Sequence, residues 1–343
     1  MTASIYDVAK RAGVSISTVS RIMNGSANVS EVKKAAVQEA MEFYQYEPNQ
    51  FARGLVKQRS NLIGIYFSMA SASMFESSYN LELLKGIEKV LTYQNYNMVL
   101  INEMEEYKSR SKGTPKYLEF VRQKRIDGLI LSGLSDRTMK ESVFKQIIDE
   151  EYPLVYIGKR IHLKGLNVYA QFEQYSLKMV DVLRRYNHRK IVYYIMVGHQ
   201  HYLQEILKKV EEQMPEMELH PIILQDQCPK RDEMLRQTER HVREFGCSAI
   251  LSPSMEVTQM LIGICAQLGM AVPEQVSILS VEHRQGDGEL LFPRISTFYV
   301  PAGNMGSGAA KLLLGVIQEE ETEERSIEYE TVYIARDSIR RLS

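Results

Sequence analysis

The sequence predicts an α/β chain: a short three-helix unit at the N-terminus, then two α/β subdomains built on parallel sheets. Three observations predict it. Residues 4–46 carry apolar side chains at helical spacing, interrupted at Gly13 and at Asn24-Gly25. From Asn61 onward, short unpatterned apolar runs alternate with helical segments, which is how parallel strands covered on both faces read. The 343 residues also exceed what a single sheet holds comfortably.

The first helix begins at Ser4-Ile5-Tyr6-Asp7, a capping box in which Ser4 and Asp7 satisfy free amides at the helix start. Ile5, Val8, Ala9 and Ala12 follow at i, i+3, i+4 and i+7 as its buried face, and Gly13 ends it. Ser15 caps a second helix that runs to about Met23, with Val19, Ile22 and Met23 turned inward. Ser30 caps a third, in which Val32, Ala36, Ala40, Met41 and Tyr44 form one stripe. Beyond Asn61, strands are predicted over Leu62–Phe67, Met98–Asn102, Gly128–Leu131, Leu154–Ile157, Ile191–Val197, Ala249–Leu251 and Val276–Val281. Helices are predicted over Asn80–Gln94 and Pro115–Gln123. The acidic run from Glu319 to Glu324 reads as a solvated crossover between the subdomains.

Composition narrows the function. Charged residues make up 25% and hydrophobic ones 44%, ordinary for a soluble globular protein. The net charge of −1 hides an asymmetry: residues 1–60 hold eight Lys or Arg against five acids, a net +3, which leaves −4 for the rest. A small basic module on a mildly acidic body suits contact with an anionic polymer through one end. Cys228, Cys247 and Cys265 have no Cys-x-x-Cys spacing and read as reduced intracellular thiols. The N-terminus lacks an apolar signal core, and no stretch approaches the roughly 18 apolar residues of a membrane span. The expected location is the cytoplasm, on the nucleoid, with no membrane partner.

Two helices joined by the tight turn at Gly13-Val14 form a helix-turn-helix, whose second helix would lie in a DNA major groove. The positions it does not use for its core are Ile16, Ser17, Thr18, Ser20 and Arg21. Small hydroxyls reach phosphates and bases, Ile16 meets a thymine methyl, and Arg21 forks onto guanine. The same periodicity also fits an ordinary three-helix bundle with a polar face.

Here the residues resemble a family. Ile5-Tyr6-Asp7-Val8-Ala9, Ala12-Gly13-Val14-Ser15, Thr18-Val19-Ser20-Arg21 and Asn24-Gly25 look like the start of the LacI/GalR family of repressors. Tyr46-Glu47-Pro48-Asn49-Gln50-Phe51-Ala52-Arg53-Gly54-Leu55 is similar to its hinge. Leu84-Lys85-Gly86-Ile87-Glu88, Arg125-Ile126-Asp127-Gly128-Leu129-Ile130, His188-Arg189-Lys190-Ile191, Gly269 through Ser277 and Arg336-Asp337-Ser338 extend the likeness over the whole length. The resemblance implies a helix-turn-helix domain over 1–47, a hinge helix and linker over 48–60, and a periplasmic-binding-protein-type sensor over 61–343. Its two Rossmann-like subdomains are expected at about 61–159 with 294–319, and at about 160–293 with 320–343. By the same resemblance, Ile16, Ser17 and Arg21 read bases, and Tyr6, Thr18, Ser20, Asn24 and Asn49 contact phosphates. Asn28 occupies a further DNA-facing position, and Ser15, Ala52, Arg53 and Leu55 complete the DNA-contacting set. The expected partners are double-stranded operator DNA and a second copy of the chain, since a pseudo-palindromic operator needs two reading helices. No terminal Leu heptad follows to make a tetramer.

The hinge carries its own energetics. Gln50–Lys57 spans about two turns, below the roughly 12 residues at which isolated helices become marginal, and Gly54 costs it about 1 kcal/mol more relative to Ala. The segment is therefore expected to fold only on DNA, with Leu55 wedged into the minor groove.

Sensors of this family clamp a small ligand, often a sugar or nucleobase, at the strand ends facing the cleft. This chain departs from that pattern. Ser254-Met255 stands where the family usually has Asn-Asp, and an effector-binding Arg is replaced near Tyr202. An Asp-Asn pair maps onto Gln171-Phe172, and an Asp after the first strand maps onto Met69. Glu282 survives as an acid near the last pocket strand, Arg160 remains at the crossover, and Phe75 joins the candidate effector residues. Sugar hydroxyls need paired donors and acceptors, most of which are missing. A sugar is disfavoured; a more apolar or aromatic effector, or a protein co-regulator, stays open.

The remaining signals are bland. His199-x-His201 has no neighbouring Cys or carboxylate to complete a metal site and reads as loop surface. Gly303-Asn304-Met305-Gly306-Ser307-Gly308 lacks both P-loop order and Rossmann spacing and reads as close packing at a helix start. No neighbourhood gathers a nucleophile, a base and an orienting group, so no catalytic residue, cofactor or metal is assigned. A transporter's solute-binding protein would share the sensor, but the helix-turn-helix argues against it. The expected function is that of a dimeric repressor of a pseudo-palindromic operator, controlled by a ligand or partner that binds between the two α/β subdomains.

Overall fold

The computed structural model describes residues 3–23, 29–46, 59–67, 75–102, 115–133, 142–158, 165–225, 230–320 and 325–343. One compact unit comprises residues 1–61 with 124–126, and the other residues 62–123 and 127–343.

In the first unit, α1 spans Ile5–Ala12, α2 Ile16–Met23 and α3 Glu31–Tyr44. The Asp7 carboxylate accepts the Ser4 amide at 2.8 Å and the Ser4 hydroxyl at 2.7 Å, which holds its pKa below the usual carboxylate value. Gly13 ends α1 at φ +64°, a left-handed conformation that favours glycine. Val8, Ala9, Val19, Val37 and Ala40 form the core. The third-helix stripe needs one correction: Val32 is 81% exposed, and Val37 is buried in its place. Val37, Ala40, Met41 and Tyr44 follow i, i+3, i+4 and i+7, a phase that leaves Val32 on the opposite side of the helix.

The second unit holds two six-stranded sheets. The first has strand order β11-β5-β4-β3-β1-β2 and the second β12-β10-β9-β8-β6-β7. The strands of the first are β1 Leu62–Phe67, β2 Asn97–Ile101, β3 Gly128–Ser132, β4 Leu154–Ile157, β5 Leu166–Tyr169 and β11 Ser326–Glu328. Those of the second are β6 Lys190–Met196, β7 Glu218–Leu224, β8 Ala249–Leu251, β9 Ser277–Glu282, β10 Ser296–Tyr299 and β12 Val332–Ile334. Among the described pairings only β10–β12 is antiparallel. Helices α4 Ser78–Tyr93, α5 Lys116–Arg122 and α6 Ser142–Asp149 follow β1, β2 and β3. Helices α7 Phe172–Arg185, α8 Leu203–Gln213, α9 Arg231–Arg243, α10 Met255–Gln267 and α11 Ala302–Ile317 complete the order.

This pairing redraws the expected subdomain borders. β5 pairs with β4, so Leu166–Tyr169 joins the first sheet, not the second. β10 pairs with β9, which places Ser296–Tyr299 in the second sheet. β11 pairs with β5, so the acidic run at 319–324 joins α11 to a strand of the first sheet. The chain crosses between sheets after β5, after β10 and between β11 and β12, and the acidic run is none of these crossings. Residues 321–324 lie outside the described residues. Ladder hydrogen bonds, invisible in a short apolar run, decide which sheet a strand joins.

Helix α11 packs on α4 and on β3, β4 and β5. The glycines at 86 and 306 allow it: a Cβ on Gly306 would lie 2.2 Å from the Leu83 carbonyl oxygen, and one on Gly86 2.0 Å from that of Gly303. The Arg336-Asp337-Ser338 segment stitches the second sheet together. The Ser338 hydroxyl accepts the Ser296 amide at 2.8 Å and donates to the Ile278 carbonyl at 2.6 Å. His188 is buried between the Ser248 hydroxyl at 2.8 Å and the Arg340 carbonyl at 3.1 Å, and burial lowers its pKa to about 4.

Candidate nucleic-acid interface and effector cleft

The outward surface of the first unit follows from how α2 is anchored. The Ser15 hydroxyl accepts the Thr18 amide at 3.2 Å and lies 2.8 Å from the hydroxyls of Ser17 and Thr18, closing the helix start. Val19 is fully buried, with Ile22 and Met23 packed behind it. That phase leaves Ser15, Ile16, Ser17 and Arg21 exposed and Thr18 and Ser20 half-buried. Tyr6, on α1, is 68% exposed. Among the described residues no carboxylate pairs with Arg21, whereas Arg11 is committed to the Phe43 ring, 3.4 Å from its centroid. One surface therefore carries a cation, small hydroxyls and an apolar tip, the chemistry that reads base edges and phosphates. Asn24, Asn28, Asn49, Ala52, Arg53 and Leu55 lie outside the described residues.

In the second unit rings gather where α7 begins and in the 3₁₀ turn Val197–Tyr202 after β6. Phe172, the first residue of α7, stacks on His199 at 4.1 Å and 17°, with Tyr202 at 5.4 Å from it. His201 lies 3.8 Å from Tyr202. Burial, then the neighbouring His201 and His283, lowers the His199 pKa to about 4. His199 therefore belongs to a ring stack, which its spacing in the sequence did not indicate. Ser254 caps α10: its hydroxyl accepts the Val257 amide at 3.4 Å, and its carbonyl accepts the Thr258 hydroxyl at 2.8 Å. Met255 is buried, and Phe75 is exposed. Met69 and Arg160 lie outside the described residues.

Glu282 calls for a correction. As an effector-binding acid it would need a free oxygen, yet it is 0% exposed and already occupied. It accepts the Gly288 amide at 2.9 Å, the Gly286 amide at 3.4 Å and the Arg336 guanidinium at 3.3 Å. Its role is to hold the loop that carries the 3₁₀ turn Asp287–Leu290. The sequence reading also missed Ser78, Tyr79, Glu256 and His283, which meet across the cleft. Glu256 accepts the Ser78 amide at 2.9 Å, the Ser78 hydroxyl lies 3.2 Å from His283 Nδ1, and the Tyr79 and His283 rings are 5.1 Å apart. Partners some 178 and 205 residues apart leave no signal in a single sequence.

A helix-turn-helix with an open reading face, joined in one chain to a two-sheet α/β body, defines the class of DNA-binding regulators. Residues 4–49 match the family model for bacterial regulatory proteins of the lacI family. Residues 70–196 match the periplasmic binding proteins and sugar binding domain of the LacI family, and residues 180–339 the periplasmic binding protein-like domain. The chain is 27% identical to the ribose operon repressor of Bacillus subtilis (strain 168), over 99% of both proteins. It is 26% identical to catabolite control protein A of Staphylococcus xylosus, over 95% of this chain and 96% of that one. The lac repressor dimer bound to operator and an anti-inducer shares the fold, with TM-score 0.80 and 17% identity over 99% of this chain and 100% of that one. The chain belongs to the LacI family: it is a DNA-binding transcriptional regulator with a periplasmic-binding-protein-like sensor domain. No helix among the described residues is long and apolar enough to cross a membrane.

Proposed function

We propose that this chain represses transcription as a homodimer on a pseudo-palindromic operator, reading each half-site with α2. The observation that carries the reading is the exposed set Ile16, Ser17 and Arg21 on a helix anchored by Val19 and closed by Ser15. In this reading Ile16, Ser17 and Arg21 meet base edges, while Tyr6, Thr18, Ser20, Asn24 and Asn49 meet phosphates. Ser15 and Asn28 lie alongside, Ala52, Arg53 and Leu55 act in the minor groove, and residues 48–60 serve as the hinge. The sensor dimerises, and a binding event at its cleft sets operator affinity through that hinge.

The experiment is selection of genomic fragments by the full chain, followed by footprinting and affinity measurement. Two protected half-sites are expected. Arg21→Ala is expected to lose about 1–3 kcal/mol on the selected site while random DNA loses far less. Equal losses on both would reduce Arg21 to a phosphate contact, and a single half-site would sink the dimer.

The cleft's chemistry restricts its ligand. Phe172, His199 and Tyr202 occupy it with rings, and Ser254 and Glu282 have their polar atoms engaged. Among the described residues few donors and acceptors are left for a polyol, although one relative is a ribose operon repressor. Hexoses, pentoses and their phosphates at millimolar concentration are expected to leave the melting temperature unchanged. A rise of several degrees with any of them would show that the rings move aside for sugar hydroxyls.

A further inference from the structure

The cross-cleft contacts converge on one dipeptide, Ser78-Tyr79, at the start of α4. The first amides of a helix have no partner within it. The Ser77 hydroxyl accepts the Asn80 amide at 3.4 Å, and the Ser78 amide is left for Glu256, whose Oε1 accepts it at 2.9 Å. Glu256 is itself the second residue of α10, just after the Ser254 cap. One carboxylate thus sits between two helix N-termini, one from each subdomain, and each end carries partial positive charge. Burial opposes the charge on Glu256, but hydrogen bonds from the Ser254 hydroxyl, its own amide and Ser78 hold its pKa below the ordinary carboxylate value. Beside it the Ser78 hydroxyl meets His283, and the Tyr79 ring packs edge-on against the same histidine at 66°.

We propose that Glu256 is a built-in latch: its carboxylate joins α4 of the first subdomain to α10 of the second and keeps the cleft closed with no small molecule inside. This rests on the reading of the cleft as the sensor and adds that the closed conformer is the resting state. The physical basis is charge. Without the carboxylate, two positive helix ends confront each other across a low-dielectric gap, and an amide is left unpaired. An effector of this protein therefore acts by breaking a closure that already exists, or by gripping a cleft already shut. It does not have to draw two open subdomains together.

The test is a distance measurement between spin labels on the full-length chain, one at Lys89→Cys on α4 and one at Lys208→Cys on α8, with Cys228→Ser. Both lysines are exposed, and Cys247 and Cys265 are buried. Without added ligand, a single short distance population is expected. Glu256→Lys replaces the shared anion with a third positive charge and is expected to move the population to longer distances. Ser78→Pro removes the amide donor at a position where proline suits a helix start, and Ser77 before it is already extended, so α4 should survive. The same lengthening is expected. Unchanged melting of Ser78→Pro keeps the result interpretable if Glu256→Lys folds poorly. A broad or long population in the unaltered chain, or no lengthening in Ser78→Pro, overturns the latch. Operator affinity of the opened variant is read separately: opening with unchanged affinity leaves the latch standing and rejects the cleft as the control on DNA binding.

Discussion

Arg336→Met is expected to destabilise the sensor by about 3–5 kcal/mol, the cost of leaving a buried ion without its partner. Glu282 is 0% exposed and the Arg336 side chain 4% exposed, so neither can turn to water in place. Arg336 approaches Glu282 at 3.3 Å and also donates to the Ile295 carbonyl at 2.7 Å, the Thr297 hydroxyl at 2.8 Å and Glu289 at 2.6 Å. The methionine fills much of the space and answers none of these acceptors. Adding Glu282→Gln should recover a large part of the loss, because the stranded charge is then gone while an acceptor for the Gly288 amide remains. Denaturant unfolding of the single and double variants checks both statements. A loss below about 1 kcal/mol for Arg336→Met would mean that water reaches Glu282.

Gly306→Ala is expected to cost about 3 kcal/mol or more, at the upper end for overpacking, although alanine is the better helix former by about 1 kcal/mol. The added Cβ would lie 2.2 Å from the Leu83 carbonyl oxygen and 2.9 Å from its carbon. Both atoms are backbone, so α11 and α4 must separate along their length. The Ser307 hydroxyl, which donates to the Gly86 carbonyl at 3.0 Å, would lose its partner in the same movement. Thermal melting checks it: a Tm equal to or above that of the unaltered chain would show that the helices are not in backbone contact. The result bears on function, because α4 carries Ser78 and Tyr79 to the cleft.

The DNA-reading end was largely legible from its residues. Its three helices start and stop where Ser4, Gly13, Ser15 and Ser30 place them, since caps and glycine stops act over three or four residues. The one error there, Val32 taken for Val37, is a misread phase in a helix of weak amphipathic contrast. The sensor was legible as two subdomains on parallel sheets, but not in the assignment of each strand to its sheet. The unanticipated strands are short, as with β11 and β12, or carry a proline and half-buried polar positions, as with β7, so they present no unbroken apolar run.

The sequence by itself determined that a helix-turn-helix precedes a parallel α/β body, and which small and charged residues α2 exposes. Helix periodicity, capping and apolar strand runs are local properties of a chain. Tertiary structure alone decided that Glu282 is spent on Arg336, that Phe172, His199 and Tyr202 form one stack, and that Glu256 reaches Ser78 across the cleft. Each joins residues that no local pattern in the chain connects. The ladder hydrogen bonds of each sheet and the glycine contact of α4 with α11 likewise join partners far apart in the chain and linked by no repeating pattern.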